Sequence, residues 1–392
     1  MPTLTASWRR IATLDTLQRS SHSLAVAGGK AYIFGGELKP RQPVDADVHV
    51  LDVEDGSLST LSSATSSSTT SPWPPARVGA ALTSLSTSST SLSTSSTSLY
   101  LWGGRGGKDM SALTSDSNSI WKFDTREEKW EVVETGGERP EGRSYHSMCA
   151  MGVRSSFLSL VRTERREIDE DLLRFLGAQD TLYLHAGCPS TGRLSTLHSL
   201  SLSTLSWSAL PSAPEPGRGG TVLTALPGGQ FLARFGGFAG YELGGLDVFN
   251  VRRKEWTSVE AAIEGGGEGP PKRSVHAFVG LRNELDLGDG SGKKVVALMA
   301  MGEREAAPKE LGHDGAGFFH SDSYALLSHS SSPSALPEFS WLPLAPSGPS
   351  PPARGWLASA LSPSGRGLVL HGGLDERNER LGDAWVLEVR VE

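Results

Sequence analysis

The residues best suited to chemistry lie in one glycine-bounded stretch, Gly302-Glu-Arg-Glu-Ala-Ala-Pro-Lys-Glu-Leu-Gly-His-Asp-Gly-Ala-Gly317. Glu303, Glu310 and His313 place two carboxylates and an imidazole in a single loop. One histidine with two carboxylates suits a divalent transition ion, iron(II) or a neighbour, with coordination positions left open. Glu305 and Asp314 are further donors that spacing does not exclude. A charged, glycine-rich surface loop with no ligand has the same pattern, so spacing alone leaves both readings open. Arg105 and Arg193 form a second set of candidates. A guanidinium offers a planar fork of N–H donors that matches an oxyanion bidentately.

A repeat must position these residues. Tyr32-Ile33-Phe34-Gly35-Gly36 returns as Tyr100-Leu101-Trp102-Gly103-Gly104, Tyr183-Leu184-His185-Ala186-Gly187, Ala233-Arg234-Phe235-Gly236-Gly237, Leu298-Met299-Ala300-Met301-Gly302 and Val369-Leu370-His371-Gly372-Gly373. Upstream of each copy stands an arginine: Arg19, Arg77, Arg143, Arg218, Arg273 and Arg354. Downstream lies an apolar alternation, then in most copies a tryptophan: Trp130, Trp207, Trp256 or Trp341. Arginine, strand with Gly-Gly, alternating strand and tryptophan make up the kelch unit of four antiparallel strands. The expected fold is therefore all-β, a single six-bladed kelch β-propeller over residues 1–392. Its blades are expected at about 15–61, 75–132, 141–209, 216–258, 271–343 and 352–392, the last completed by residues 7–12. Trp8 would supply the outer strand that the final repeat lacks, joining both ends of the chain in one sheet. Arg105 follows Gly103-Gly104 directly, and Arg193 occupies the corresponding loop of the third blade.

Three segments depart from the repeat. The serine/threonine tracts at 62–70 and 83–98 read as solvated linkers, too polar to bury. Residues 154–180 carry apolar positions at helical spacing among many charges, which predicts a short amphipathic helix inserted in the third blade. Ala239–Gly245 reads as a loop inserted in the fourth. The six repeat arginines have two readings: internal ties between blades, or a ring of positive charge around the axial opening.

Bulk properties narrow the partners. Lys and Arg number 37 against 44 Asp and Glu, a net charge of −7 with no basic block, which argues against nucleic acid. No run of 18 apolar residues occurs and residues 1–17 have no signal core, so neither a membrane span nor secretion is expected. Cys149 and Cys188 lack CxxC spacing, and a reduced, cytoplasmic protein is the expectation.

Phe34-Gly-Gly-Glu-Leu-Lys-Pro40, Gly104-Arg105, Tyr145-His-Ser-Met148, Gly302-Glu303 with Gly312-His313, and Arg354-Gly-Trp356 together resemble the kelch specifier proteins. These are the nitrile-specifier, epithiospecifier and thiocyanate-forming proteins of glucosinolate breakdown, and the resemblance runs over essentially the whole chain. It implies iron(II) held by a glutamate, an aspartate and a histidine spaced E-x3-D-x3-H. Glu303 and His313 match the outer two ligands; the loop is two residues longer, and Glu310 stands nearest the aspartate's place. It further implies substrate contacts at Glu37, Arg105, Tyr145, Arg193 and Trp356. The implied activity is an iron-dependent lyase that takes a small anionic thiohydroximate-O-sulfate to a nitrile. The alternative is a kelch interaction module that binds a protein partner at the propeller mouth.

Overall fold

Alternating apolar strands separated by tight turns pair here into six antiparallel sheets of four strands. The structure is a computed structural model that describes residues 3–63, 72–86, 97–113, 119–152, 180–308, 310, 317–329 and 336–392. From inside outward the first sheet is Ser23–Ala27, Lys30–Phe34, Val48–Asp52 and Leu58–Leu61. The second is Ala81–Ser86, Thr97–Trp102, Ser119–Asp124 and Lys129–Glu134. The third is Ser147–Met151, Thr181–His185, Leu197–Ser201 and Ser206–Leu210, with Gly136–Gly137 added in parallel at its outer edge. The fourth is Val222–Ala225, Phe231–Phe238, Glu242–Asn250 and Glu255–Val259. The fifth is Ala277–Asp286, Lys294–Ala300, Ser323–His329 and Glu338–Pro343. The sixth is Ala358–Leu361, Gly367–His371, Asp383–Val391 and, outermost, Leu4–Thr13.

The sheets are held to one another by packing and short bridges; each remains an open ladder. Their inner strands neighbour one another in closed succession, the sixth against the first. Each sheet presents apolar residues to both neighbours: Trp102 and Trp207 pack between the second and third, Phe235 and Trp341 between the fourth and fifth. The residue two after each repeat arginine turns left-handed, with φ of 56° at Ser21, 62° at Gly79, 52° at Tyr145, 62° at Gly220, 45° at Val275 and 55° at Trp356. That turn aims the backbone sideways, and the six residues form a cyclic chain of hydrogen bonds. Gly79 N–H donates to Ser21, Tyr145 to Gly79, Gly220 to Tyr145, Val275 to Gly220, Trp356 to Val275 and Ser21 to Trp356, at 2.8–3.0 Å.

The glycine pairs have a geometric cause. A Cβ on Gly302 would stand 2.8 Å from the Ser274 carbonyl oxygen, closer than real Cβ atoms come. The two positions differ in backbone: the first lies at φ of 61–69°, which Ala186 (φ 61°) and Met301 (φ 62°) adopt at a cost of about 1–2 kcal/mol each, whereas the second lies at 94–112°, a region left to glycine. Hence the second glycine persists in every copy while the first erodes.

The six arginines tie the scaffold together. Each is almost completely buried and donates Nη1–H to the carbonyl at the first glycine position: Arg19 to Gly35, Arg77 to Gly103, Arg143 to Ala186, Arg218 to Gly236, Arg273 to Met301 and Arg354 to Gly372, at 2.9–3.1 Å. Arg19, Arg273 and Arg354 also clasp Asp45, Asp322 and Asp383. This satisfied, inward placement gives the internal-tie reading and removes the arginines from any anion-binding ring.

Leu4–Thr13 lies antiparallel on Asp383–Val391 and buries Trp8. The Ala239–Gly245 segment differs from the loop expected there. Beyond a bulge at Phe235/Gly237, Phe238 pairs with Glu242, so only 239–241 turn and Glu242 begins a nine-residue strand. Pairing wins because it satisfies backbone groups that a loop would leave to solvent. The helix expected within 154–180 and most of both serine/threonine tracts lie outside the described residues. Those described include one short 3-10 turn, Asp15–Leu17, and no helix long and apolar enough to cross a membrane.

Five buried imidazoles make an acid-sensitive core. Burial first, and then nearby positive groups (His371 for His22, arginines for the others), hold His22, His146, His185, His276 and His371 below their ordinary pKa, His146 and His371 at about 3. Unfolded histidines protonate near pH 6.5 whereas these do not, so their contribution is complete above that pH and lost as it falls. Each group contributes on the order of 1.4 kcal/mol per pH unit in this window. The melting temperature is expected to drop steeply between about pH 6 and 4; a flat profile there would refute the neutral assignment.

Candidate functional site

The repeat brings two rings of side chains to one end of the axis. The inner ring is the set of left-handed residues: Ser21, Gly79, Tyr145, Gly220, Val275 and Trp356. The outer ring consists of the residues directly after the glycine pairs, each bridged to the strand leading into the inner ring. Glu37 bridges Ser20, Arg105 pairs with Val78, Cys188 bridges Ser144, Phe238 bridges Gly219, Glu303 bridges Ser274 and Leu374 bridges Gly355. Chemistry therefore collects on loops held by a rigid frame.

Tyr145 and Trp356 sit on opposite sheets and meet across the opening, ring centroids 5.4 Å apart and edge to face. Tyr145 fits because Gly79 has no side chain; a Cβ there would lie 2.9 Å from the phenol ring. Burial, then the negative charge of Glu37, raises the Tyr145 pKa, so it stays a neutral hydroxyl. Glu37 is buried, accepts from the Ser21 hydroxyl at 3.3 Å and from the Arg41 N–H at 2.7 Å.

Arg105 is half-buried. Its Nε–H donates to the Ser144 hydroxyl at 2.8 Å, and Nη2 donates to the Pro189 carbonyl at 2.6 Å and that of Cys188 at 3.3 Å. None of these partners is a carboxylate, so the guanidinium keeps its charge at the mouth. Arg193 is exposed and lies over Phe238, 4.9 Å from the ring centroid. Both are also near the Cys188 thiol, whose pKa burial nonetheless raises. Cys149 and Cys188 are free thiols; Cys149 lies within a strand and Cys188 in a single bridge.

Two buried carboxylates lie at the same end. Glu303 opens the short hairpin Glu303–Glu305 with Phe318–Phe319 and is 6% exposed. Burial, then the charge of Glu242, lifts its pKa to about 8, against a hydrogen bond from the Trp356 indole. Glu242, from the fourth sheet, is 7% exposed and lifted by burial to about 7. Ser274 lies near enough to moderate that shift, yet neither Glu242 oxygen has a hydrogen bond of sound geometry. Raised carboxyl values favour the folded state fully below about pH 4.5, and that contribution is lost as pH climbs through 7 to 8. Near neutral pH burial thus holds Glu303 largely in its neutral acid form, and a bound cation is the chemistry that would let both carboxyls ionise. Two buried carboxylates, one of them Glu242 with both oxygens unsatisfied, fit a divalent ion of the hard or borderline kind.

The other sequence candidates are less assembled. Glu310 is exposed in a turn and Glu305 exposed in the hairpin, while His313 and Asp314 lie outside the described residues. Among the described residues no group of three or more His, Cys, Asp and Glu converges as metal ligands do. Sequence reasoning missed Glu242 because it placed Ala239–Gly245 in a loop. The run Glu242-Leu-Gly-Gly245 shows no polar-apolar alternation, so the sequence held no strand signal there.

The kelch-repeat family description KLHDC2/KLHL20/DRC7 matches residues 21–158. A solved structure titled "Structure of YjhT" superposes with a TM-score of 0.58 over 97% of this chain and 99% of its own, at 14% identity. The chain is a kelch-repeat protein with a propeller-like fold. It is also 25% identical over 395 residues, 95% of this chain and 92% of the other, to the N-(sulfonatooxy)prop-2-enimidothioate sulfolyase of Thlaspi arvense. Repeat and full-length similarity together support a divergent protein similar to the kelch specifier proteins.

Proposed function

We propose that the six sheets are the blades of a closed propeller whose mouth is an iron(II)-dependent lyase site for a small sulfur-containing anion of the thiohydroximate-O-sulfate type. The observation that carries this reading is the convergence at one end of Arg105 and Arg193, the Tyr145–Trp356 pair and the buried Glu303. Glu303, with Glu310 and His313, would hold the iron, which when bound supplies a Lewis acid for a thiolate sulfur. Arg105 and Arg193 receive the sulfate group, where negative charge grows as the N–O bond breaks. Arg105 is preorganised for this by Ser144 and the Pro189 carbonyl, which fix its plane. Tyr145 and Trp356 pack the substrate's side chain and exclude water, and Glu37 fixes the edge of the pocket beside Ser21. Loss of sulfate and sulfur leaves a nitrile. The free thiols suit a reducing, cytoplasmic setting.

The test is nitrile formation from a thiohydroximate-O-sulfate by purified protein with iron(II) under anaerobic conditions. Arg105→Ala is expected to weaken productive binding by about 1.5–3 kcal/mol, the range for losing a charged hydrogen bond. Nitrile yield no higher than without protein would refute the lyase reading. Unchanged KM in Arg105→Ala would reduce that residue to a scaffold tie.

A second reading is favoured by Leu38, Tyr241 and Phe318, which are 46%, 59% and 44% exposed on short hairpins and a turn beyond the glycine pairs. Large apolar side chains left in solvent around a mouth suit capture of a protein partner. Saturable partner binding abolished by Tyr241→Ser and Phe318→Ser, without nitrile formation, would establish it instead.

A further inference from the structure

The two buried carboxylates of the mouth come from different sheets, and only Glu303 belongs to the stretch that the sequence singles out. Glu242 opens the strand Glu242–Asn250, which packs against the Glu303–Glu305 hairpin. It is more than nine-tenths buried, and both carboxylate oxygens lack a hydrogen-bond partner. It lines a cavity of about 350 Å³ together with Phe238, Tyr241, Lys272, Arg304 and Glu305. Lys272 and Arg304 share that wall, yet neither hydrogen-bonds Glu242. A buried, charge-bearing group with no partner is costly, and native structures keep one where a ligand completes it. Glu303, on the hairpin that packs against this strand, adds a like charge rather than an opposite one. Glu310, by contrast, faces solvent.

We propose that Glu242 is a carboxylate ligand of the divalent cation held by Glu303, so that the metal centre spans the fourth and fifth sheets. The inference rests on the metal reading of Glu303 above and assigns the second carboxylate to a residue sixty-one positions upstream (303 − 242). Each carboxylate offers hard oxygen donors, and together they balance a doubly charged ion without help from the exposed Glu310. A centre fixed between two sheets is also held by two rigid ladders, whereas one built from a single loop depends on that loop's own order. Cation binding would clamp the fourth and fifth sheets together at the mouth, and the clamp is readable apart from catalysis.

The experiment is anaerobic calorimetric titration of iron(II), and separately manganese(II), into the metal-stripped full-length protein and its Glu242→Gln and Glu242→Asp variants. Wild type is expected to bind one ion and to melt higher when loaded. Glu242→Gln, which keeps the shape and removes the repulsion, is expected to lose about 100-fold or more in affinity, since even outer partners of metal ligands are worth 10–100-fold. Its metal-free melting temperature should equal or exceed that of wild type. Glu242→Asp keeps the charge but withdraws it by one methylene, and a loss of affinity there supports the assignment independently. Wild-type affinity in either folded variant overturns the Glu242 assignment and leaves the Glu303 site standing. No binding by wild type overturns both.

Discussion

Removing residues 1–14 is expected to lower the melting temperature by more than 10 °C or so and to make the protein aggregate on warming. Leu4–Thr13 is the outer strand of the sixth sheet, paired along its length with Asp383–Val391. Trp8 is 4% exposed in a cluster with Leu368, Leu387 and Val389, and loss of a buried tryptophan alone costs about 3–5 kcal/mol. The strand also ties to both neighbouring sheets. Trp8 N–H donates to Ser347 at 3.0 Å, and the Arg9 guanidinium donates to the Val53 carbonyl at 2.9 Å. Without it, the apolar ladder of Trp385, Leu387 and Val389 becomes an unprotected edge, a template for pairing with another chain. Thermal melting with light scattering measures both effects. Trp8→Ala provides a milder variant, expected to lose stability without exposing the edge. A truncated chain that melts like the full one would show that Asp383–Val391 is a tolerable edge.

The sequence carried the fold in its punctuation. Gly-Gly marks the one place where backbone conformation and close approach exclude a side chain, and the repeat arginine marks the carbonyl that must be satisfied beside it. Those constraints act on single residues, so they survive where Ala186 and Met301 have worn the motif down. The outer strand at Trp8 was legible because an incomplete last repeat and an isolated tryptophan at the other end suggest each other. The site was less legible, because its members are fixed by how loops pair rather than by residue type. Arg105, Tyr145 and Trp356 stand where repeat position puts them, after Gly-Gly or two after an arginine. Glu242 has no repeat position; it reaches the mouth only because Phe238 pairs with it past a bulge. No spacing rule relates it to Glu303, and contact between adjacent sheets is what couples them. Nor does residue type separate Arg273 from Arg105. Both are arginines near glycines, and only their partners reveal that one is bound inward and the other keeps charge at the mouth.

That contrast gives the second large effect: Arg273→Ala is expected to destabilise the protein by about 2–4 kcal/mol, below the cost of breaking a fully buried ion pair from one side because Asp322 is one-third exposed. Arg273 is fully buried and makes four connections at once. Nη1–H reaches the Met301 carbonyl at 2.9 Å and Asp322 at 2.7 Å, Nη2–H reaches Asp322 at 3.0 Å, and Nε–H reaches Pro271 at 3.2 Å. Its guanidinium also lies 5.6 Å from the Tyr324 ring centroid. Burial alone would raise the Asp322 carboxyl, but the hydrogen bonds and charge of Arg273 hold it below its ordinary value. Truncation leaves that carboxylate and the Met301 carbonyl stranded. Arg273→Lys should recover little, because an ammonium is a point charge and cannot span the carboxylate and the carbonyl as the planar fork does. Equilibrium unfolding in urea measures the loss, and a change below about 1 kcal/mol would remove Arg273 from the scaffold. The effect bears on the mouth as well. Arg273 precedes Ser274, whose backbone bridges Glu303 at 2.9 and 3.0 Å, so the tie that stabilises the fifth sheet also holds the Glu303 backbone in place. Arg105→Ala, by comparison, removes neutral partners only and should spare stability while it weakens anion binding. A protein that reversed this order, tolerant at Arg273 and fragile at Arg105, would have its structural and ligand-binding arginines exchanged.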